Sequence, residues 1–232
     1  MAASVIFEER IRIPMDMDSL DAFRNWVLSD SFPESGRIDF IDGNIEVDMS
    51  PEDLFSHGTL KTEICHRVAG RVKELNLGHL FVDSTRVTHP AEQFSVEPDL
   101  VVVSHQAIES GKIRLVPKQG AGADRFVEIE GAPDLIVEIA SDSSQVKDRK
   151  RLFDAYCRAG VMEYWLVDGR GEEIDFQIHH YDLSGFAEAA CNELGLIDSI
   201  VLRCGCRLER DRGPGGFWNY DLHLRADSQT QQ

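Results

Sequence analysis

The apolar residues of this chain form two kinds of pattern, and the first predicts a buried sheet. Residues 100–103, 135–139 and 164–167 are nearly uninterrupted apolar runs. Short runs of this kind are typical of strands that are covered on both faces. Residues 148–159, between the second and third runs, have helical spacing and end at Gly160. If the flanking strands are parallel, this order predicts a right-handed crossover.

The second pattern is a spacing of three and four residues, which predicts two amphipathic helices. A short helix begins after the cap residue Ser19, and a longer one begins at residues 50–53, Ser-Pro-Glu-Asp, and runs to about Leu75. A proline and acids after a serine are typical of a helix start. His57 lies close to the apolar face of the longer helix. The two apolar faces consist of Leu20, Phe23, Trp26 and Val27, and of Leu60, Ile64, Val68, Val72 and Leu75.

Alternating residues predict further strands around this core. Residues 5–13 form a candidate strand, and residues 37–41 and 44–47 flank Asp42-Gly43, a strong hairpin signal. Residues 174–181 predict an outer antiparallel strand, whereas residues 105–132, with a polar glycine-containing loop, are interpreted as an insertion. The expected class is α/β: a mixed central sheet flanked by helices, with an N-terminal strand and hairpin extension and C-terminal antiparallel strands.

Length, charge and cysteine content narrow the class of protein. The 232 residues predict one domain over residues 1–225, with its core at about 36–182, and a disordered polar tail at 226–232. A net charge of −17 argues against a protein that coats DNA, because such binding depends on neutralising phosphates. Five scattered cysteines favour buried thiols and a reducing, cytoplasmic compartment. We expect no membrane helix and no signal peptide.

Two acidic residues stand where a buried strand should be apolar. Asp99 opens the run 100–103, and Glu138 interrupts the run 135–139. A buried carboxylate is costly unless a cation or a hydrogen-bond donor satisfies it. If the two strands are neighbours, the acids form an oxygen-rich pocket that suits Mg²⁺ or Mn²⁺. Alternatively, Asp99 caps its strand and Glu138 forms a buried ion pair with an arginine.

A basic cluster and one histidine are further candidates for the chemistry. Residues 147–151 include Lys147 and Lys150, and a lysine near a metal can orient water or stabilise charge on a phosphate. His57 could reach the same water or phosphate. The alternatives are a solvated helix face for the lysines and a satisfied boundary histidine for His57. Glu46 is a weaker candidate, since its strand can point it to solvent.

Three motifs resemble the Uma2 family of restriction-endonuclease-like proteins. They are Glu97-Pro98-Asp99 before its apolar run, residues 133–144 around Glu138, and residues 156–168 with the sequence Glu-Tyr-Trp-Leu-Val-Asp. The resemblance covers about residues 20–182. It implies a PD-(D/E)XK nuclease core that holds a divalent metal, with Asp99 and Glu138 as its two acids. By analogy with such nucleases, it also implies a DNA substrate and a homodimer.

The chain departs from the family pattern at the catalytic lysine. The simple motif places a lysine two residues after Glu138, where this chain has Ala140, and the family's common helix position is Leu152. Lys147 is the preferred substitute, and Lys150 is the second choice. Two functions therefore stay open: a Mg²⁺-dependent endonuclease, and a catalytically weak or inactive nuclease-fold module for nucleic-acid binding or protein assembly. A hydrolase of carbohydrates or small phosphoesters is a more distant alternative.

Overall fold

The computed structural model describes residues 13–14, 17–33, 36–120, 122, 124–141 and 147–226, with the backbone alone for residues 147–149. The described helices are α1 (Leu20–Val27), α2 (Leu60–Glu74), α3 (His105–Glu109) and α4 (Phe153–Ala159). The described strands are β1 (Arg37–Ile41), β2 (Asn44–Asp48), β3 (Gly78–Val82), β4 (Arg86–His89), β5 (Phe94–Val96), β6 (Leu100–Ser104), β7 (Ile113–Pro117), β8 (Phe126–Gly131), β9 (Leu135–Ile139), β10 (Glu163–Asp168), β11 (Asp175–Asp182), β12 (Gly185–Glu188), β13 (Ile197–Ser199), β14 (Cys204–Arg212) and β15 (Trp218–Ala226). The predicted strand at residues 5–13 lies almost entirely outside the described residues, as does the predicted tail beyond Ala226.

The central sheet contains the three apolar runs, in the order β12-β11-β10-β9-β6-β3. Strands β9 and β10 are parallel and are joined through α4, which confirms the predicted strand, helix, strand unit. Strand β6 is antiparallel to β9, and every residue of both strands is buried. Helix α4 follows a π-helical turn, Lys147–Leu152, and ends at Gly160, whose φ of 74° is left-handed.

A second mixed sheet has the order β2-β1-β5-β4-β8-β7. Its first hairpin, β1–β2, is the one predicted at Asp42-Gly43, and the φ values of these residues, 50° and 80°, fit a type I′ turn. The interpretation of residues 105–132 as an insertion missed regular structure. This segment forms α3 and the β7–β8 hairpin, and β8 pairs in parallel with β4. The polar loop between β7 and β8 is only the tip of that hairpin.

A third sheet, β13-β14-β15, is antiparallel and packs against α2. Side chains of α2 bond to the backbone of β15: Arg67 Nε donates to the Leu222 carbonyl at 2.7 Å, and Glu63 Oε1 accepts from the Leu222 amide at 3.0 Å. The α/β class with C-terminal antiparallel strands is therefore confirmed. That residues 1–225 form one domain stays a prediction.

Two apolar layers lie on either side of the central sheet. The first is shared by α2, the central sheet and the third sheet, and the second by α4, the central sheet and the second sheet. All five cysteines are free thiols, and Cys204 and Cys206 are buried in the first layer. Within the described part of the chain, no helix has the length and apolarity needed to cross a membrane. The site described next lies where α2 meets the ends of β6 and β9.

Candidate metal centre

Asp99 connects the central sheet to the start of α2. It directly precedes β6, and its side chain is only 4% exposed. Its Oδ2 accepts a hydrogen bond of 2.7 Å from the backbone amide of Ile139, next to Glu138 on the neighbouring strand. Its Oδ1 lies 3.2 Å from Nζ of Lys61 and 3.7 Å from Nε2 of His57. One carboxylate thus joins β9, α2 and the turn before α2.

His57 is presented by a π-helical turn, Leu54–Thr59, that leads into α2. Asp53 caps this turn by accepting from the amides of Phe55 and Ser56, and the Gly58 amide donates to the Asp53 carbonyl at 3.0 Å. Turns of this kind are frequent at functional sites. The helix predicted to begin at residues 50–53 and to run to about Leu75 is therefore a π-helical turn, Leu54–Thr59, followed by an α-helix, Leu60–Glu74.

His57 has one ring nitrogen without a hydrogen bond. Its Nδ1 is buried and makes no hydrogen bond with any described residue, although it lies 3.0 Å from Oε2 of Glu52. A ring nitrogen beside a carboxylate can pair with it when the ring is protonated, or bind a cation together with it when the ring is neutral.

Glu52, His57 and Asp99 together form a possible metal-binding group. One ligand atom from each residue lies within 4.8 Å of the others. Two carboxylate oxygens and an imidazole nitrogen are suitable donors for a divalent metal. The donor chemistry of these three residues, and the position of His57 Nδ1 3.0 Å from a Glu52 oxygen, therefore fit a bound divalent cation.

Glu138 lies beside this group but is held by different partners. It is fully buried on β9, where Val137 pairs with Leu100, the residue after Asp99. Its Oε1 accepts a hydrogen bond of 2.7 Å from the Tyr156 hydroxyl, and its Oε2 lies 3.3 Å from Nη2 of Arg37. The two predicted acids thus come from neighbouring strands. The alternative prediction for Glu138, a buried ion pair with an arginine, also matches an observed contact, the one with Arg37.

Sequence reasoning missed Lys61, which lies at the centre of the ion pairs. Its Nζ is 2.9 Å from Glu52, 2.8 Å from Asp83 and 3.2 Å from Asp99. The available signal was its position four residues after His57, which places both side chains on one helix face. Arg37 and Glu52 were also missed, since each comes from a segment that only the tertiary fold brings to Asp99.

The charges around Asp99 strongly favour its ionised form. Burial by itself would raise the pKa of Asp99, but His57, Arg37 and Lys61 outweigh burial and hold it well below its usual range. Burial likewise opposes the charged forms of His57 and Lys61, yet the acids around them raise the pKa of both. The group is therefore a network of opposite charges.

The lysines predicted from the basic cluster, unlike Lys61, have no described contact with the acidic group. Lys147 begins the π-helical turn before α4, and its side chain lies outside the described residues. Lys150 is exposed, and no described ion pair connects it with Asp99 or Glu138. Leu152 and Tyr156 are fully buried. Glu46 is half-buried and pairs with Arg151.

Two clefts of about 280 and 260 Å³ open onto this group. Both are lined by Gly36, Arg37 and Glu52; His57 lines the larger cleft, and Asp99 lines the smaller. The acids and the arginine can therefore be reached by a ligand from outside.

The fold is similar to that of a solved structure described as a putative nuclease belonging to DUF820 from Anabaena variabilis ATCC 29413. The two share a TM-score of 0.55 and 18% sequence identity, over 79% of this chain and 90% of that chain. The molecule is therefore a nuclease-fold protein with an acidic, metal-compatible cluster.

The Uma2 family model, described as "Putative restriction endonuclease", matches residues 20–189, and the chain belongs to this family. No curated protein matches the sequence.

Proposed function

We propose that the protein is a divalent-metal-dependent endonuclease that hydrolyses DNA phosphodiester bonds. The observation that carries this proposal is the buried carboxylate of Asp99, which shares a possible metal-binding group with Glu52 and His57. Glu138 on the adjacent strand is the second acid of the proposal. The family and the fold support the nuclease class.

Each residue has a distinct role in this proposal. Asp99, Glu52 and His57 would hold Mg²⁺ or Mn²⁺, with Glu138 completing the acidic environment. A bound divalent ion supplies Lewis acidity and lowers the pKa of water at the site. Arg37, which lines both clefts, is placed to attract a phosphate group. Lys147 and Lys150 remain candidates for stabilising charge on the phosphate.

Plasmid cleavage tests the two acids. The parent should cleave supercoiled DNA with Mg²⁺ or Mn²⁺ and lose cleavage when EDTA removes the metal. Asp99→Asn and Glu138→Gln keep the size of each side chain and should lower the rate by roughly 100-fold or more. Glu188→Gln, at an exposed position on β12, is the matched control. A folded Glu138→Gln variant that cleaves like the parent would remove Glu138 from the site.

One contact favours a second function, a catalytically weak or inactive module for nucleic-acid binding or protein assembly. Arg37 lies against Glu138 and can neutralise it without a metal. A net charge of −17 also disfavours tight binding to long DNA. Titration with Mn²⁺ by calorimetry separates the two functions: no binding at high metal concentration would favour the module.

The proposal includes a homodimer that cuts two strands in a reducing, cytoplasmic compartment. The five free thiols are consistent with that compartment. Sedimentation of the protein with and without DNA tests the assembly. A monomer under both conditions would limit the activity to one strand at a time.

A further inference from the structure

The buried ammonium of Lys61 lies against three carboxylates, each from a different segment of the chain. Glu52 comes from the chain before the π-helical turn, Asp83 from the turn after β3, and Asp99 from the start of β6. The Lys61 side chain is only 10% exposed. Because removing a lysine from water is costly, this position needs the acids that surround it.

The turn that carries Asp83 has an unusual backbone. Asp83 and Ser84 have φ values of 30° and 49°, in a region that residues other than glycine rarely occupy. The Asp83 amide also bonds to the Asp99 carbonyl at 3.4 Å. Strained residues of this kind cluster at functional sites. The turn holds a third acid against Lys61, next to Asp99.

We propose that Lys61 is the lysine that stabilises charge on the substrate phosphate at this site. It comes from α2, and not from the helix that follows Glu138. The inference rests on the proposed nuclease function. The family's common lysine position is occupied here by Leu152, which is fully buried in the apolar layer and carries no charge. Lys61 instead places an ammonium 3.2 Å from Asp99, and its three carboxylate partners, Glu52, Asp83 and Asp99, line the smaller cleft.

Lys61 and a divalent cation bind to the same acids. Asp99 and Glu52 contact Lys61, and both also belong to the group that can hold a metal. With a divalent cation bound, Asp99 and Glu52 would hold the ammonium less tightly, and Lys61 would be able to contact a phosphate oxygen of the substrate. This role is electrostatic and requires no proton transfer. The proposed role predicts that the positive charge of Lys61 lowers the affinity for the metal, whereas cleavage requires both Lys61 and the metal.

A purely structural ion pair would behave differently. Removing a structural lysine would leave three uncompensated acids and mainly lower the stability. Removing the ammonium makes the acidic group more negative and strengthens metal binding in either case, but only the loss of a lysine that contacts the substrate phosphate also lowers cleavage by a folded protein at saturating metal.

The test compares full-length Lys61→Met and Lys61→Gln with Lys73→Met, an exposed lysine of the same helix that serves as a matched control. Mn²⁺ affinity is measured by calorimetry, plasmid cleavage at saturating Mn²⁺, and folding by urea titration. We expect Lys61→Met to bind Mn²⁺ about tenfold more tightly, because a positive charge next to the metal ligands is removed. We also expect it to cleave roughly 100-fold more slowly. Lys73→Met should match the parent in all three measurements.

Parent-like cleavage by a folded Lys61→Met variant would overturn this role. Unfolding of both neutral variants would overturn it too, because Lys61 would then be a structural partner of the acids. If the parent and Lys73→Met alike neither bind Mn²⁺ nor cleave DNA, the proposed function itself fails, and the role of Lys61 fails with it.

Discussion

The hydroxyl of Tyr156 on α4 donates a hydrogen bond of 2.7 Å to Oε1 of Glu138 on β9. Both side chains are fully buried, and burial together with the neighbouring carboxylate raises the pKa of Tyr156 well above its ordinary value. The phenol therefore stays protonated at neutral pH and remains a donor. The helix that follows β9 thus fixes the orientation of the second acid.

Replacing Tyr156 with phenylalanine should weaken the site without removing an acid. Groups that orient ligand side chains typically contribute about 10–100-fold to metal affinity or activity. We expect Tyr156→Phe to lose cleavage or Mn²⁺ affinity within that range and to remain folded. Tyr181→Phe, at a partly exposed position on β11, is the control. If Tyr156→Phe matched the parent in both measurements, the hydrogen bond would have no functional role.

His57 should contribute to metal binding more directly. Its buried Nδ1 makes no hydrogen bond within the described structure, and Glu52 and Asp99 flank the ring. We expect His57→Ala to weaken Mn²⁺ binding, measured by calorimetry, by more than the roughly 10–100-fold typical of an outer partner. His66→Ala, at an exposed position on α2, should bind like the parent. Full Mn²⁺ affinity and cleavage in a folded His57→Ala variant would exclude His57 from the centre.

The sequence predicts the neighbouring acids Asp99 and Glu138 because a carboxylate inside an apolar strand is visible without tertiary information. The type I′ hairpin is equally local, since Asp42-Gly43 selects its turn by backbone preference alone. These features depend on short segments, so the pattern of residues is enough to find them.

Lys61 and Glu52 could not be found in the same way. A lysine beside an apolar stripe usually reaches solvent, and only the packing of α2 on the central sheet brings it to Asp99. The β7–β8 hairpin was missed for a related reason: its strands are partly exposed and mix apolar with charged residues, and the pairing of β8 with β4 joins them to the second sheet. Tertiary contacts decide both cases.

Glu163 should prove structural, although it is a buried acid in the same sheet. It accepts from Trp165 Nε1 and Ser199 Oγ, each at 2.6 Å, and from the amides of Ile200 and Val201 at 2.7 and 3.1 Å. These bonds attach the segment before β14 to β10. An amide in this position keeps only one acceptor oxygen.

We therefore expect Glu163→Gln to lower the free energy of unfolding by about 2–4 kcal/mol, since buried donors would lose their acceptor. Urea titration measures the change, with Glu188→Gln as the exposed control. A loss below about 0.5 kcal/mol, the range of ordinary surface substitutions, would show that the four bonds do not stabilise the fold.

Glu130 should make part of the stability depend on pH. It lies on β8 between Arg114, whose Nε donates to it at 2.9 Å, and Arg24 of α1. Hydrogen bonding by Arg114 is the main cause that lowers the pKa of Glu130 below its ordinary value of 4.5. Because the folded-state pKa is lowered, the stabilisation is present above about pH 4.5 and is lost as the pH falls through the lowered value.

The comparison of Glu130→Gln with the parent measures this contribution. The contacts are partly exposed to solvent, so we expect the variant to be less stable by at most about 1 kcal/mol near neutral pH. The difference should shrink as both proteins are titrated with urea at progressively lower pH, because the parent's carboxylate becomes protonated and the ion pairs disappear. Glu109→Gln, at an exposed position in α3, should show no such trend. A difference between Glu130→Gln and the parent that stayed constant down to about pH 3 would mean that the charge of Glu130 does not stabilise the fold.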